Sequence, residues 1–116
     1  MTRIFLFSLS LLLFLITPNI VDSAEILNIK SSNSIIIGDQ NRNLNVNLVC
    51  IKVDEANELE AAELLRKNFP RGTKVKIRPY SKQENILLAK VYNLRNNKEM
   101  TELLISADLS REDCLD

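Results

Sequence analysis

The sequence contains no histidine, and that absence excludes more chemistry than any other. Without an imidazole there is no His general base, no serine-type triad through histidine and no His-ligated zinc. Cysteine is almost as scarce. Cys50 and Cys114 are the only two, too few for a structural zinc site. Glycine occurs only at Gly38 and Gly72, and nothing resembles a Gly-rich phosphate loop. An excess of one charge is missing too: 15 Lys and Arg balance 15 Asp and Glu. A neutral chain is poorly suited to strong, unassisted nucleic-acid binding, which depends on neutralising phosphates and releasing counterions.

What is present begins with an export-like segment. "MTRIFLFSLSLLLFLITPNIVDSA" places Arg3 ahead of an apolar run from Ile4 to Ile16, followed by Pro18 and small residues. This is the layout of a secretory signal peptide, and the run is short for a membrane span. Cleavage after Ser23 puts Val21 and Ser23 at the two small-residue positions, so the expectation is a signal peptide at 1–23 and one domain at 24–116. The alternative is an uncleaved N-terminal anchor. Cleavage predicts a secreted or periplasmic protein, a setting that permits a Cys50–Cys114 disulfide. The other reading of the two cysteines is a buried Cys50 in its strand and a free thiol at Cys114.

Charge is patterned along the domain. Asp54 to Glu63 carries five acids, whereas Arg66 to Lys82 carries seven bases and no acid. "AEILNIK" reads as a first strand, with Ile26 and Asn28 on the face opposite Leu27 and Ile29. "SSNS" breaks it, "SIIIG" is a short β-branched strand, and "DQNRN" is a turn. "LNVNLVCIKV" alternates, pointing Leu44, Val46, Leu48 and Cys50 one way. From Asp54 the spacing turns helical, with Leu59, Ala62, Leu65 and Phe69 forming a stripe supported by Ala61 and Leu64. Asp54 is placed to cap this helix, Glu55 and Glu58 favour its positive start, and Pro70 and Gly72 end it.

Beyond the helix, "TKVKIRPY" is a strand with one basic face (Lys74, Lys76, Arg78) and one apolar face (Val75, Ile77). "SKQEN" turns the chain, "ILLAKVYNL" is another strand, and "MTELLISADL" is a short helix burying Leu103, Leu104 and Leu109. The order strand–strand–strand–helix–strand–strand is that of a five-stranded OB-fold, a β-barrel with helices in the α+β class.

Four phrases in this order resemble the staphylococcal nuclease (thermonuclease) family: "VNLVCIKVDE", "FPRGTKVKIRPY", "LAKVY" and "MTELLISADL". The likeness spans about residues 25–111. It implies an OB barrel with packed helices, lacking the family's further C-terminal segment and third helix. The family's activity is calcium-assisted phosphodiester hydrolysis. It requires carboxylates on a hard cation, a glutamate to activate water, and two arginines on the transition-state phosphorus.

Residue by residue, the resemblance transfers little of that set. The family's D-G-D-T metal loop matches "SSNS", so Ser31 and Asn33 stand where carboxylates are required. Asn47 stands for the first arginine, Lys52 for a metal-binding aspartate, and Ile86 for the second arginine. An ammonium about 4 Å from a divalent cation is repelled by several kcal/mol at an effective dielectric near 20. Glu55 alone keeps its family position, as the candidate general base.

The expectation is therefore an exported, non-catalytic descendant with no cofactor, acting as a binding or structural module. Its partner would be a protein, an oligonucleotide or an envelope component. Weak nucleic-acid binding would run along Arg71, Lys74, Lys76 and Arg78, with Tyr80 nearby. The bland reading of that stripe is a set of solvated lysines guarding a strand edge. Two alternatives stand beside this: a calcium-dependent nuclease with unconventional ligands, or a degenerate remnant. An apolar patch left by the missing segment would favour a homodimer.

Overall fold

In the computed structural model, residues 24–113 are described; the expected signal segment 1–23 and Cys114 lie outside them. The described chain runs β1 (Ala24–Ile29), β2 (Ser34–Asp39), β3 (Arg42–Leu48) and β4 (Ile51–Lys52), then a 3-10 turn (Glu55–Asn57) and helix α1 (Glu58–Asn68). It continues through β5 (Lys74–Gln83), β6 (Ile86–Asn93), helix α2 (Met100–Ser106) and β7 (Arg111–Glu112). Five strands close into a barrel in the order β1–β2–β3–β6–β5, an OB-fold-like α+β arrangement as the element order predicts. All its pairings are antiparallel except β3 with β6. That parallel contact is possible because α1 lies between the two strands in the sequence and provides the crossover.

The apolar halves of the alternating strands fill the barrel. Ile26, Ile35, Ile37, Val46, Val75, Ala89 and Val91 are buried there, with Ala61 and Leu65 of α1, Phe69 just after it, and Met100 and Leu104 of α2 in the same core. The closing seam between β1 and β5 is short. Only Ala24 and Glu25 pair with β5, at Val75 and Lys74. Backbone bonds from Ile26 N–H to the Thr73 carbonyl (2.9 Å) and from Gly72 N–H to the Ile26 carbonyl (2.7 Å) extend it into the preceding turn. Where the seam ends, Arg66 donates through Nε and Nη2 to the Ile29 carbonyl at 3.2 and 3.0 Å.

Several local readings change. β1 carries a bulge between Ile26 and Asn28, so Ile26 and Ile29 are both buried and Asn28 is exposed. A bulge inserts one residue and reverses the alternation beyond it. The long strand expected from Leu44 to Val53 is broken at Val49–Cys50, where Cys50 adopts φ 61° and β4 begins anew. The helix stripe is rotated: Leu59 is 71% exposed, and Ala61, Ala62, Leu65 and Phe69 face the core. Asp54 forms no side-chain cap; its carboxylate lies 3.8 Å from Arg111 of β7. The turn expected at "SKQEN" is shorter, because β5 continues to Gln83.

β4 and β7 form a separate two-stranded sheet, with Ile51 opposite Glu112 and Lys52 opposite Arg111. Cys50 is disulfide-bonded, and the sequence contains one other cysteine, Cys114. Asp113 N–H donates to the Cys50 carbonyl at 3.1 Å, which brings the end of the described chain to the β3–β4 turn. No helix among the described residues is long and apolar enough to cross a membrane.

Candidate functional site

Two places deserve consideration: the junction where the family resemblance puts catalysis, and the basic face of β5. The junction forms because the β1–β2 loop folds back on β3. Lys30 N–H donates to the Ser34 carbonyl at 2.8 Å, and Leu48 N–H donates to the Asn33 carbonyl at 2.9 Å. Ser34 lies opposite Asn47 in the β2–β3 ladder. Ser31, Asn33 and Asn47 are therefore brought to one end of the barrel. Ser31 Oγ donates to Asn33 Oδ1 at 3.3 Å, so these two groups satisfy one another.

The residue that ties this loop to α1 is Glu58. Its carboxylate accepts Ser32 N–H at 2.9 Å and the Ser32 hydroxyl through its second oxygen. Ser32 is buried, so both of its donors depend on this carboxylate. Sequence reasoning gave Glu58 only an interaction with the helix dipole. A sharper signal was available: Glu58 precedes Ala61, Ala62 and Leu65 at spacings of three, four and seven, which makes it an acid on the buried stripe.

Glu55, by contrast, is exposed in the 3-10 turn, and its side chain has no hydrogen bond or ion pair with the described residues. Lys52 is exposed on β4, and Ile86 is 39% exposed at the start of β6, opposite Asn45 rather than Asn47. The donor set is thus a hydroxyl and two amides, and the one carboxylate in contact with the loop is engaged by Ser32. That set does not fit a hard divalent cation, which takes several charged oxygens. Among the described residues no three His, Cys, Asp or Glu side chains are grouped to hold a metal.

On the second surface, β5 and β6 pair with Lys76 opposite Tyr92 and Arg78 opposite Lys90. Paired residues share a face, so three cations and a tyrosine lie together on the outer wall of the barrel. A bulge between Pro79 and Ser81 shifts the register, and the Arg78 guanidinium lies 5.8 Å from the centre of the Tyr80 ring. Lys74 is at the end of this row, paired with Glu25 at 3.2 Å. Arg71 is not on the strand; it is in the turn before β5. The alternation in "ILLAKVYNL" would have placed Lys90 and Tyr92 opposite buried Ala89 and Val91, and so revealed β6's share of the face.

The sequence matches no protein-family profile, and no curated protein is significantly similar to it.

Proposed function

We propose that this chain is an exported, non-catalytic module of the staphylococcal-nuclease-like type, which binds a partner and does not hydrolyse one. The observation that carries the reading is the junction itself. Loop, strand end and helix start meet there, yet Ser31, Asn33, Asn47 and Lys52 occupy the positions from which the family draws charge. The loop is held by the Glu58 carboxylate, a fastening that needs no cation. An isolated Glu55, exposed and unsupported, has no neighbour to place water or stabilise charge on phosphorus.

The β5–β6 face supplies the binding surface. Lys74, Lys76, Arg78 and Lys90 follow an anionic backbone, while exposed Tyr80 offers a ring on which a base stacks and half-buried Tyr92 lies beside Lys76. Stacking is worth about 1–3 kcal/mol per base and is tolerant of sequence. Arg71 extends the positive field beyond the strand. Glu25 offsets part of it at Lys74, so affinity is modest and sensitive to salt.

The test is calcium titration of the purified protein, with hydrolysis and binding of single-stranded DNA followed in the same samples. The expected result is neither calcium binding nor cleavage, with weak DNA binding that falls as salt rises. Calcium-dependent cleavage abolished by Glu55→Gln would overturn the reading in favour of an active nuclease.

A further inference from the structure

A recess of about 390 Å³ opens between the end of α1, the turn Pro70–Thr73 and the open end of the β5–β6 hairpin. We propose that it is a binding site for the phosphate group of a phosphate monoester. Its cations come from three segments: Arg71 from the turn, Lys74 from the start of β5 and Arg95 from beyond β6. No carboxylate is among its lining residues. Arg71 and Arg95 have no ion pair or side-chain hydrogen bond among the described residues, whereas Lys74 is shared with Glu25 at 3.2 Å. Two unpaired guanidiniums and one partly offset ammonium suit the charge of about −1.5 to −2 on a phosphate monoester. The single charge of a diester would leave more of this field unmatched.

A helix C-terminus is ordinarily a poor place for an anion, because its last carbonyls carry partial negative charge. Here several of them are occupied. The Leu64 carbonyl accepts the Asn68 amide at 2.9 Å, the Leu65 carbonyl accepts Phe69 N–H at 2.7 Å, and the Asn68 carbonyl accepts Asn93 Nδ2 at 3.4 Å. The Pro70 carbonyl accepts both the N–H and the hydroxyl of Thr73, at 3.0 and 2.5 Å. The carbonyls around the recess are thus engaged, and the charged groups among its lining residues are the three cations.

Asn93 holds its walls in place. Buried at the end of β6, it bonds the end of α1 through Nδ2 and accepts Arg95 N–H on Oδ1 at 2.9 Å. Leu94 N–H donates to the Lys74 carbonyl at 3.0 Å and fixes the opposite side. The guanidiniums thus project from a braced frame. Guanidinium is also the group best matched to phosphate, since it donates two parallel hydrogen bonds. The volume falls at the lower end of the range for small-molecule sites, about 300–1,000 Å³, which leaves room for a substituent on the phosphate. This site shares Lys74 and Arg71 with the basic face, adds Arg95, and is independent of whether the junction is catalytic.

The experiment is calorimetric titration of the full chain with a 5′-mononucleotide, its unphosphorylated nucleoside and a short single strand with or without a 5′-phosphate. The expected result is binding of the mononucleotide but not of the nucleoside, and tighter binding of the 5′-phosphorylated strand than of its unphosphorylated counterpart. Mononucleotide binding is expected to weaken at least about tenfold with Arg95→Gln. Lys30→Gln removes the same charge from an exposed position in the β1–β2 loop, outside both the recess and the β5–β6 face, and is expected to weaken binding less than about threefold. Both variants are expected to melt with the wild type, because neither side chain bonds another described residue. A 5′-phosphorylated strand that binds more tightly than the mononucleotide supports the site as a strand-end pocket; equal binding supports a free monoester. Nucleoside binding equal to nucleotide binding, or equal losses in the two variants, would overturn the proposal.

Discussion

Glu58 and Glu55 lie three residues apart and have opposite fates. One accepts two hydrogen bonds from buried Ser32, while the other faces solvent alone. Glu58→Ala is expected to destabilise by about 1–3 kcal/mol, because it leaves two buried donors without partners. Glu55→Ala is expected to stay within about 0.5 kcal/mol, as surface substitutions usually do. Urea denaturation of both variants checks the contrast, and equal effects would remove Glu58 as the fastening of the loop. Gly72 offers a second single-residue test. Its φ of 91° is a conformation that L side chains resist, although a Cβ there would meet no atom within 4 Å. Gly72→Ala is therefore expected to cost about 1–2 kcal/mol through the backbone alone, measurable in the same assay.

At the level of elements, the orientation of α1 is the most informative feature. A helical stripe can be drawn through Leu59 or through Glu58 with almost the same spacing, and hydrophobicity favours Leu59. Packing selects the other, since the barrel end offers Ser32 to the first turn and takes Ala61 and Leu65 behind it. Leu65→Ala is expected to cost about 2–5 kcal/mol, as for other fully buried leucines. Leu59→Ala, at 71% exposure, is expected to change stability by less than about 0.5 kcal/mol. Thermal melts of the pair would show comparable losses if the helix sat as its hydrophobicity suggests, because that stripe buries Leu59 and Leu65 together. The bulge in β1 is a similar case: alternation alone cannot reveal it, because it exists to let Ile26 and Ile29 both enter the core.

For the whole molecule, the sheet of β4 and β7 couples the end of the described chain to the junction. Two residue pairs, the 3.8 Å ion pair of Arg111 with Asp54 and the disulfide at Cys50 hold it. Two residue pairs are too few to persist by themselves. Reduction is therefore expected to lower stability by about 2–4 kcal/mol, read as an earlier denaturation midpoint with reductant present. An unchanged midpoint would mean that the disulfide constrains little in the unfolded chain. The segregation of charge also acts at this scale. Acids gather on α1 and bases on β5 and β6, so a chain with no net charge still presents a positive wall.

The sequence by itself determined the class of fold. Alternating β-branched runs separated by turn residues, with one helix after the third run, specify a barrel of this order because each strand must bury one face. It also determined the chemistry available at the junction, since Ser31, Asn33 and Asn47 carry no charge and Lys52 carries a positive one in any geometry. The tertiary structure decided which faces those elements show and which distant groups meet. Glu58 found Ser32 across 26 positions, and Arg71 was drawn away from the strand row toward Arg95. Such pairings depend on barrel closure and on a single inserted residue in β1. Periodicity is a local property and carries no record of either.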